Sequence, residues 1–489
     1  MTSRRDQLQS YQFLVHRTIS AFVMRQTDPV ASPLRRGVGA MFAGAMAAVL
    51  AAAGFGVYGL LTKSGPADTR TEGTVVVEKE TGADYVFLGG LLHPVLNYAS
   101  ALLAAGAAGK ETPSVSVVSG TTLAGVPLGS TIGIAGAPAS LPAAGRAVGM
   151  PWTACSAPAG SSTTAAGPTS GSASAPNPVA GQRILTVFVG AAPAAGAVLG
   201  AGQALLVTDP AGAQEFLLWH GHRYTVQKPQ VVVPALFGAL VTATPVSAAW
   251  LNTVPAGTDI APIGVLGQGA DSPAVPGRRI GDLLVAATAA GPQYYLVRSD
   301  GLEPITALQK DILLAQLPGQ PSAVGLADIA DLPRSVAAGP GAEPTDPPQN
   351  PPALVTPAAT DPVCALWRDA HSAPSLTIAS LPAGAEAAVP TGPSAMGTGV
   401  ADRILVPSGH VAVVRALPSP DATAGAYYIV TDIGVRYLAP SDAVLKTLGY
   451  DATSAVDVPA QLLTLIPAGP ALDPTAAVQP VQVAQAGGS

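Results

Sequence analysis

Residues 37–62 read GVGAMFAGAMAAVLAAAGFGVYGLLT, 26 consecutive positions without a charged side chain. As a helix rising about 1.5 Å per residue, this run crosses a hydrocarbon core of roughly 30 Å with some tilt. Arg35 and Arg36 bracket one end and Lys63 the other. The stretch therefore predicts one transmembrane helix over 37–62. Working outward, Arg4, Arg5, Arg17, Arg25, Arg35 and Arg36 outnumber Asp6 and Asp28 in residues 1–36, a net of +4 that leaves −10 for the rest of a chain totalling −6. Positive flanks stay in the cytoplasm, so the expectation is a single-pass protein of the inner membrane. Residues 1–36 would be cytoplasmic and 63–489 periplasmic. A cleaved signal peptide is the competing reading, with an apolar region of about 7–15 residues; the 36-residue leader and the length of the run favour an anchor. The small residues Gly37, Gly39, Ala40, Gly44, Ala45, Ala48 and Ala52 suit close helix packing in lipid, although Ala and Gly are common throughout this chain.

The leader has its own pattern. Leu8, Tyr11, Val15, Ile19 and Phe22 recur at three- and four-residue steps between Asp6 and Arg25. With its arginines this reads as a basic amphipathic helix, suited to a membrane surface or a partner groove. Asp28-Pro29 and Ser32-Pro33 end it before the membrane.

Charged residues are only 11% of the chain and hydrophobic residues 48%, against about 25% charged in a typical soluble domain. The 54 Gly and 48 Pro predict short strands, many turns and little long helix. The negative net charge argues against a nucleic-acid partner.

The exterior portion repeats itself. Tyr85-Val86-Phe87, Leu205 to Asp209, Tyr294 to Val297 and Tyr427 to Asp432 read as four equivalent buried strands. Helical runs follow three of them, over Leu96–Leu103, Ile305–Leu314 and Asp442–Leu448, with Pro304 and Pro440 at two of the starts. A closing element recurs as Val126-Pro127-Leu128-Gly129, Val254-Pro255-Ala256-Gly257, Leu332-Pro333 and Ile466-Pro467-Ala468-Gly469. Tyr85 precedes Cys155 by 70 residues, and Tyr294 precedes Cys364 by 70. Trp152 and Trp367 each lie three residues from a cysteine; Arg183-Ile184-Leu185 and Arg403-Ile404-Leu405 precede the second and fourth copies. The predicted class is α+β. Four small repeats, over 63–130, 201–262, 263–334 and 421–475, form two related halves, each pair set around a cysteine-bearing segment (131–200 and 335–420), with pseudo-two-fold symmetry.

Cys155 and Cys364 are the only cysteines. Outside the cytoplasm, an even pair at equivalent positions is most simply one disulfide; two buried thiols are the alternative. The Ser/Gly-rich stretch 156–181, the Pro-rich stretch 335–360 and the tail, drawn at 476–489 within a low-complexity run from Pro470, are expected to be flexible loops.

Chemistry-bearing motifs are scarce. Gly106-Ala107-Ala108-Gly109-Lys110-Glu111 superficially suggests a phosphate loop, but Ala104 stands at the first Gly position and Glu111 at the Ser/Thr position. His220-Gly221-His222 offers two metal ligands with no nearby third. No catalytic residues, cofactor site or metal site are assigned.

The leader SRRDQLQSYQFLVHRTISAFVMRQTDP (Ser3 to Pro29), the apolar span, ADYVFLGGLLHPVLNYASALL (Ala83 to Leu103) and the Cys155/Cys364 pair together resemble EccB proteins of mycobacterial and related type VII (ESX) secretion systems. The resemblance runs along nearly the whole chain. It implies a hexameric inner-membrane complex with EccC, EccD and EccE, associated with the mycosin protease, and an exterior of four repeats around a β-rich centre. Family members are sometimes labelled ATPases, which no motif here supports independently. The expected function is that of a structural subunit that anchors and shapes the periplasmic part of the complex. An extracytoplasmic enzyme or a cell-wall-binding module is the alternative.

Overall fold

The computed structural model describes residues 3–25, 33–61, 70–159, 183–193, 196–317, 319–336, 343–391 and 400–481. The chain divides into two units, residues 1–68 and 69–489.

The first unit is two helices. Helix α1 (Arg4–Met24) is capped by Ser3, whose hydroxyl accepts from the Arg5 amide while the Ser3 amide donates to the Asp6 carboxylate. This reciprocal box satisfies two otherwise unpaired terminal groups. Arg25 ends the helix in the left-handed region. Leu8, Tyr11, Val15 and Phe22 are exposed, and so are Phe13 and Leu14, so the apolar face is broader than the five-residue stripe suggested. Helix α2 (Pro33–Leu61) contains the apolar run, with a mean hydropathy of 1.9 over Val38–Phe55 and none of that window buried. Its apolar surface is bare along Met41, Phe42, Met46, Val49, Leu50 and Phe55. A helix apolar on all sides and unburied requires lipid or other helices as its solvent. Thr62, Lys63, Asp28-Pro29 and Ser32 lie outside the described residues.

The second unit holds four small sheets of one topology. In repeat 1 the strands are Val75–Glu78, Asp84–Leu88, Leu91–Pro94 and Val115–Val118; in repeat 2, Gln203–Thr208, Glu215–Trp219, His222–Thr225 and Thr244–Pro245. Repeat 3 has Leu283–Thr288, Gly291–Val297, Leu302–Ile305 and Ser322–Val324; repeat 4 has Val411–Leu417, Ala426–Thr431, Arg436–Ala439 and Val456–Pro459. In each, three strands form an antiparallel meander, and the fourth returns parallel to the first. A parallel return needs a crossover. It is supplied by α3 (Tyr98–Ala107), α4 (Pro229–Phe237), α5 (Ala307–Gln316) and α6 (Asp442–Thr447). Asn97, Thr306 and Ser441 cap three of these by side-chain hydrogen bonds, so the helices start beyond Leu96, Pro304 and Pro440. The proline-containing closing element then runs back beside the third strand in identical register. The amides of Leu92, Arg223, Leu302 and Arg436 donate to the carbonyls of Pro127, Pro255, Pro333 and Pro467.

That register corrects one correspondence. Leu205 to Thr208 lies in the first strand of repeat 2, whereas the tyrosine segments lie in second strands; there the position of Tyr85 is matched by Phe216, Tyr295 and Tyr428, one residue beyond Tyr294 and Tyr427. An apolar run of four or five residues carries no mark of which meander strand it is.

The seven-stranded central sheet comprises β1 (Trp152–Pro158), β2 (Arg183–Phe188), β3 (Ala197–Val198), β4 (Val363–Trp367), β5 (Ser375–Ile378), β6 (Val389–Pro390) and β7 (Arg403–Leu405), in the order β6-β7-β2-β1-β4-β5-β3. Two further corrections follow. Arg183-Ile184-Leu185 and Arg403-Ile404-Leu405 are not equivalent positions but belong to neighbouring parallel strands, with Arg403 opposite Thr186. Trp152 and Trp367 are cross-strand partners on opposite sides of their cysteines. Both are essentially buried.

Two stretches expected to be loose are built into the body. Residues 343–360 form a strap. Thr345 accepts from the Thr258 amide, Gln349 accepts from the Leu308 amide, and Ala353-Leu354 adds a short parallel strand beside Gln203-Ala204. Residues 470–481 pack on repeat 1, with Leu472 and Ala477 buried and the Val481 amide donating to Thr131. Composition hid both, because proline and alanine segments can still be ordered by edge pairing and by a few buried apolar side chains. Ser156 to Pro158, expected at the start of the Ser/Gly-rich loop, instead end the strand Trp152–Pro158; residues 160–182, 337–342 and 482–489 lie outside the described residues.

Candidate functional site: a disulfide-tied junction of interlocked halves

Each half of the second unit crosses to the other. Repeat 1 shares one core with repeat 4: Val75, Val86, Leu102 and Leu103 pack with Val413, Ile429, Tyr437 and Leu445. Repeat 3 meets repeat 2 through Leu308 and Ile312 of α5, which pack among Val232, Val233 and Leu236 of α4. The linkers cross in the same way. After repeat 1 the chain passes beside repeat 4, where the Val148 amide donates to Val411 at 2.8 Å. After repeat 3 it passes beside repeat 2, where the Val355 amide donates to Ala204 at 2.9 Å. Val411 and Ala204 are equivalent, each lying two residues before the strand position that pairs with Ile429 or Leu217. Each linker then leads into a cysteine strand.

Those strands, β1 and β4, are the central antiparallel pair, with Cys155 directly opposite Cys364. The two sulfurs are bonded, with an S–S distance of 2.08 Å and a Cα–Cα distance of 4.0 Å across a sequence separation of 209. Both cysteines are fully buried in a small cluster with Phe188. One face of the sheet builds the largest core cluster, where Trp152, Trp367 and Trp250 meet side chains of repeats 2 and 4. The Trp250 indole N–H donates to the Ala154 carbonyl at 2.8 Å. Burial of three tryptophans together is a strong anchor for a junction.

Repeats 2 and 4 also share a device that sequence reasoning missed. Arg223 lies over the Phe216 ring at 5.7 Å, and Arg436 over the Tyr428 ring at 5.5 Å. Their Nε–H groups donate to the carbonyls of Val254 and Ile466, and burial pulls both guanidinium pKa values down. In repeat 3 the cation comes instead from the closing element, as Arg334 over Tyr295 at 5.0 Å. The signal was present: an Arg-Tyr pair some thirty residues before Pro-Ala-Gly occurs at Arg223 and at Arg436. The Gly after that Pro-Ala makes room for the tyrosine. A Cβ at Gly257 or Gly469 would stand 2.3 Å from a ring carbon of Tyr224 or Tyr437.

The motifs considered for catalysis fall elsewhere. Gly106 to Glu111 spans the C-terminal end of α3, where the helix dipole is negative and disfavours phosphate. Glu111 is ion-paired with Lys446 of repeat 4 at 2.7 Å, which lowers the Glu111 pKa and raises that of Lys446. His220 Nε2 lies 2.8 Å from the Ala201 carbonyl, and His222 Nδ1 lies 3.0 Å from the His220 carbonyl. The His220 ring stacks on Trp219 at 3.9 Å. Each imidazole thus spends a ring N–H on local backbone. Among the described residues no three of His, Cys, Asp and Glu gather as a metal site. A 580 Å³ cleft between repeats 2 and 4 is lined by His220, His222, His371, Glu343 and Asp421.

The family model described as "Type VII secretion system ESX-1, transport TM domain B" matches residues 1–484. The chain is 29% identical to the ESX-3 secretion system ATPase EccB3 of Mycolicibacterium smegmatis, over 96% of this chain and 89% of that protein. It is 28% identical to the ESX-2 secretion system ATPase EccB2 of Mycobacterium tuberculosis, over 89% and 87%. Among solved structures, the EccB3 dimer from the ESX-3 core complex aligns with a TM-score of 0.61 at 29% identity, covering 83% of this chain and 99% of that one. A chain of an intact ESX-5 inner membrane complex has the same fold, with a TM-score of 0.64 at 23% identity and coverage of 99% and 96%. From its leader through its fourth repeat, the chain belongs to the EccB family of type VII secretion systems.

Proposed function

We propose that this protein is a structural subunit of a type VII secretion inner-membrane complex and hydrolyses nothing itself. The observation that carries the reading is the reciprocal interlock: two halves exchange linkers and partners around a disulfide, a construction suited to bearing load between contacts. The division into repeats at 63–130, 201–262, 263–334 and 421–475 about a central domain is part of this reading. So is the orientation, with residues 1–36 cytoplasmic and the repeats periplasmic, which rests on the flanking arginines. The bare helix α2 and the exposed apolar face of α1 supply the surfaces for neighbouring subunits and membrane. EccC, EccD, EccE, the mycosin protease and further copies of this chain in a hexamer are the partners the family implies. Energy for export then comes from the cytoplasmic motor.

The relatives carry the word ATPase in their names. A phosphate-release assay on the purified repeat-bearing unit and its Lys110→Ala variant decides whether that word applies here. Baseline release in both is expected. Turnover that co-purifies with the protein and is lost with one side chain would end the structural reading.

A further inference from the structure

The two distal repeats are attached very differently. Repeat 1 is fused to repeat 4: its helix and one face of its sheet, through Val75 and Val86, share a core with the sheet and helix of repeat 4 and with Leu472 and Ala477, while the other face of its sheet holds a small cluster of its own. Repeat 3 keeps its sheet to itself. Leu284, Tyr295, Val297 and Ile329 form one cluster, and Leu283, Leu296, Ile305 and Leu313 another, with no side chain of repeat 2 in either. Only Leu308 and Ile312, one turn apart on α5, enter the core of repeat 2. Beside them lies a cavity of 230 Å³, lined by Ile260, Thr306, Gln309, Asp346, Pro347 and Pro348. Side chains that border a void forgo contacts they would otherwise make. What closes the joint is the strap. Its Thr345 carbonyl pins the Thr258 amide of repeat 2, and its Gln349 carbonyl takes the Leu308 amide in the first turn of α5.

We propose that repeat 3 is a latched arm: it swings from the body about the α4–α5 contact as a folded unit, and the strap 343–352 is the latch. Prolines 344, 347, 348, 351 and 352 stiffen that strap, so the closed position costs little chain entropy. The arm undocks without unfolding because its own two clusters stay buried when α5 leaves. Repeat 1 has no such freedom, since separating it would open the core of repeat 4. This goes beyond the structural-subunit reading and does not depend on it; it gives one end of the exterior a hinge and the other a rigid joint.

The test is native-state hydrogen exchange on the full-length protein in detergent, comparing wild type with a Pro347→Gly, Pro348→Gly variant. Loosening the latch should raise exchange about tenfold at the two amides the strap holds, those of Thr258 and Leu308. Amides of the repeat 3 sheet around Leu284 and Leu296, and those of repeat 1 around Val76 and Val86, should keep their wild-type rates. A wild type in which Thr258 and Leu308 already exchange at lower denaturant than the repeat 1–repeat 4 core would support the same assignment. Exchange of the repeat 3 sheet that accelerates together with these two amides would overturn it, because the arm would then be unfolding. Unchanged rates at Thr258 and Leu308 would also overturn it, because the strap would not be the latch.

Discussion

Replacing both Cys155 and Cys364 with alanine removes the one covalent tie between the interlocked halves. The bond spans a sequence separation of 209 residues, for which the chain-entropy relation gives about 5 kcal/mol of stabilisation through restriction of the unfolded chain. The loss of two buried sulfurs to smaller side chains adds a packing cost beside Phe188. The interlock works in the opposite direction. Each half already holds the other through the Val148–Val411 and Val355–Ala204 hydrogen bonds and through the three-tryptophan core, so the folded state needs no sulfur bridge to define its geometry. The expected outcome is a protein that still folds, with the same far-ultraviolet spectrum. Its urea midpoint should fall by an amount worth about 3–5 kcal/mol. The assay is equilibrium unfolding of residues 69–489, wild type against the double variant, with intrinsic tryptophan fluorescence reporting the central sheet. A loss below about 1 kcal/mol would refute the reasoning, because it would mean that the halves stay associated when the chain is otherwise unfolded.

Three shorter predictions follow from the same geometry. Gly469→Ser pushes a Cβ into the Tyr437 ring and should destabilise the repeat-bearing unit by about 1–3 kcal/mol; Ser335→Gly, at the matching position of repeat 3, should change stability by less than about 1 kcal/mol. The Asp457 carboxyl is held below its ordinary pKa, first by hydrogen bonds from Arg415 at 2.6 and 2.8 Å and then by the charges of Arg415 and His371, against opposing burial. A depressed folded pKa stabilises above the unfolded value and fades as the carboxylate protonates. The stability deficit of Asp457→Asn should therefore be full at pH 6 and shrink below about pH 4; a deficit unchanged in acid would assign the effect to packing. Single cysteines introduced at the exposed positions Ser3 and Thr81 in a Cys155→Ala, Cys364→Ala background test orientation: an impermeant thiol reagent on intact spheroplasts should label Thr81→Cys and spare Ser3→Cys, and the reverse pattern would invert the topology.

Much of the architecture was legible because it is written in long or repeated patterns. The uncharged run ending near Leu61 became one bare apolar helix, and the four proline-containing closing elements all close their repeats in one register. The two cysteines, singled out as a pair, lie on strands that are adjacent, although the register matches Tyr85 with Tyr295 and not with Tyr294. What failed was short or relational. Leu205 to Asp209 was assigned to the wrong meander strand, because both strands are apolar in a doubly covered sheet. The Arg-Ile-Leu tripeptides matched in letters but sit side by side. Residues 343–360 and 470–481 looked unstructured by composition, yet their order comes from partners in other elements of the chain, as when Val355 meets Ala204. The exchange of linkers between halves is invisible in one sequence for the same reason: nothing local distinguishes a linker that returns to its own repeat from one that crosses.

The central claim is that this chain acts by assembling, and the most direct measurement is the size of the particle that contains it. A tagged full-length protein, extracted from native membranes in mild detergent, should migrate on a native gel as part of a megadalton complex. The same protein lacking residues 1–36 but retaining the apolar run from Gly37 should insert in the membrane and migrate free of that complex. A wild-type protein that runs as a free monomer or dimer from undisturbed membranes, whatever its activity, would contradict the account.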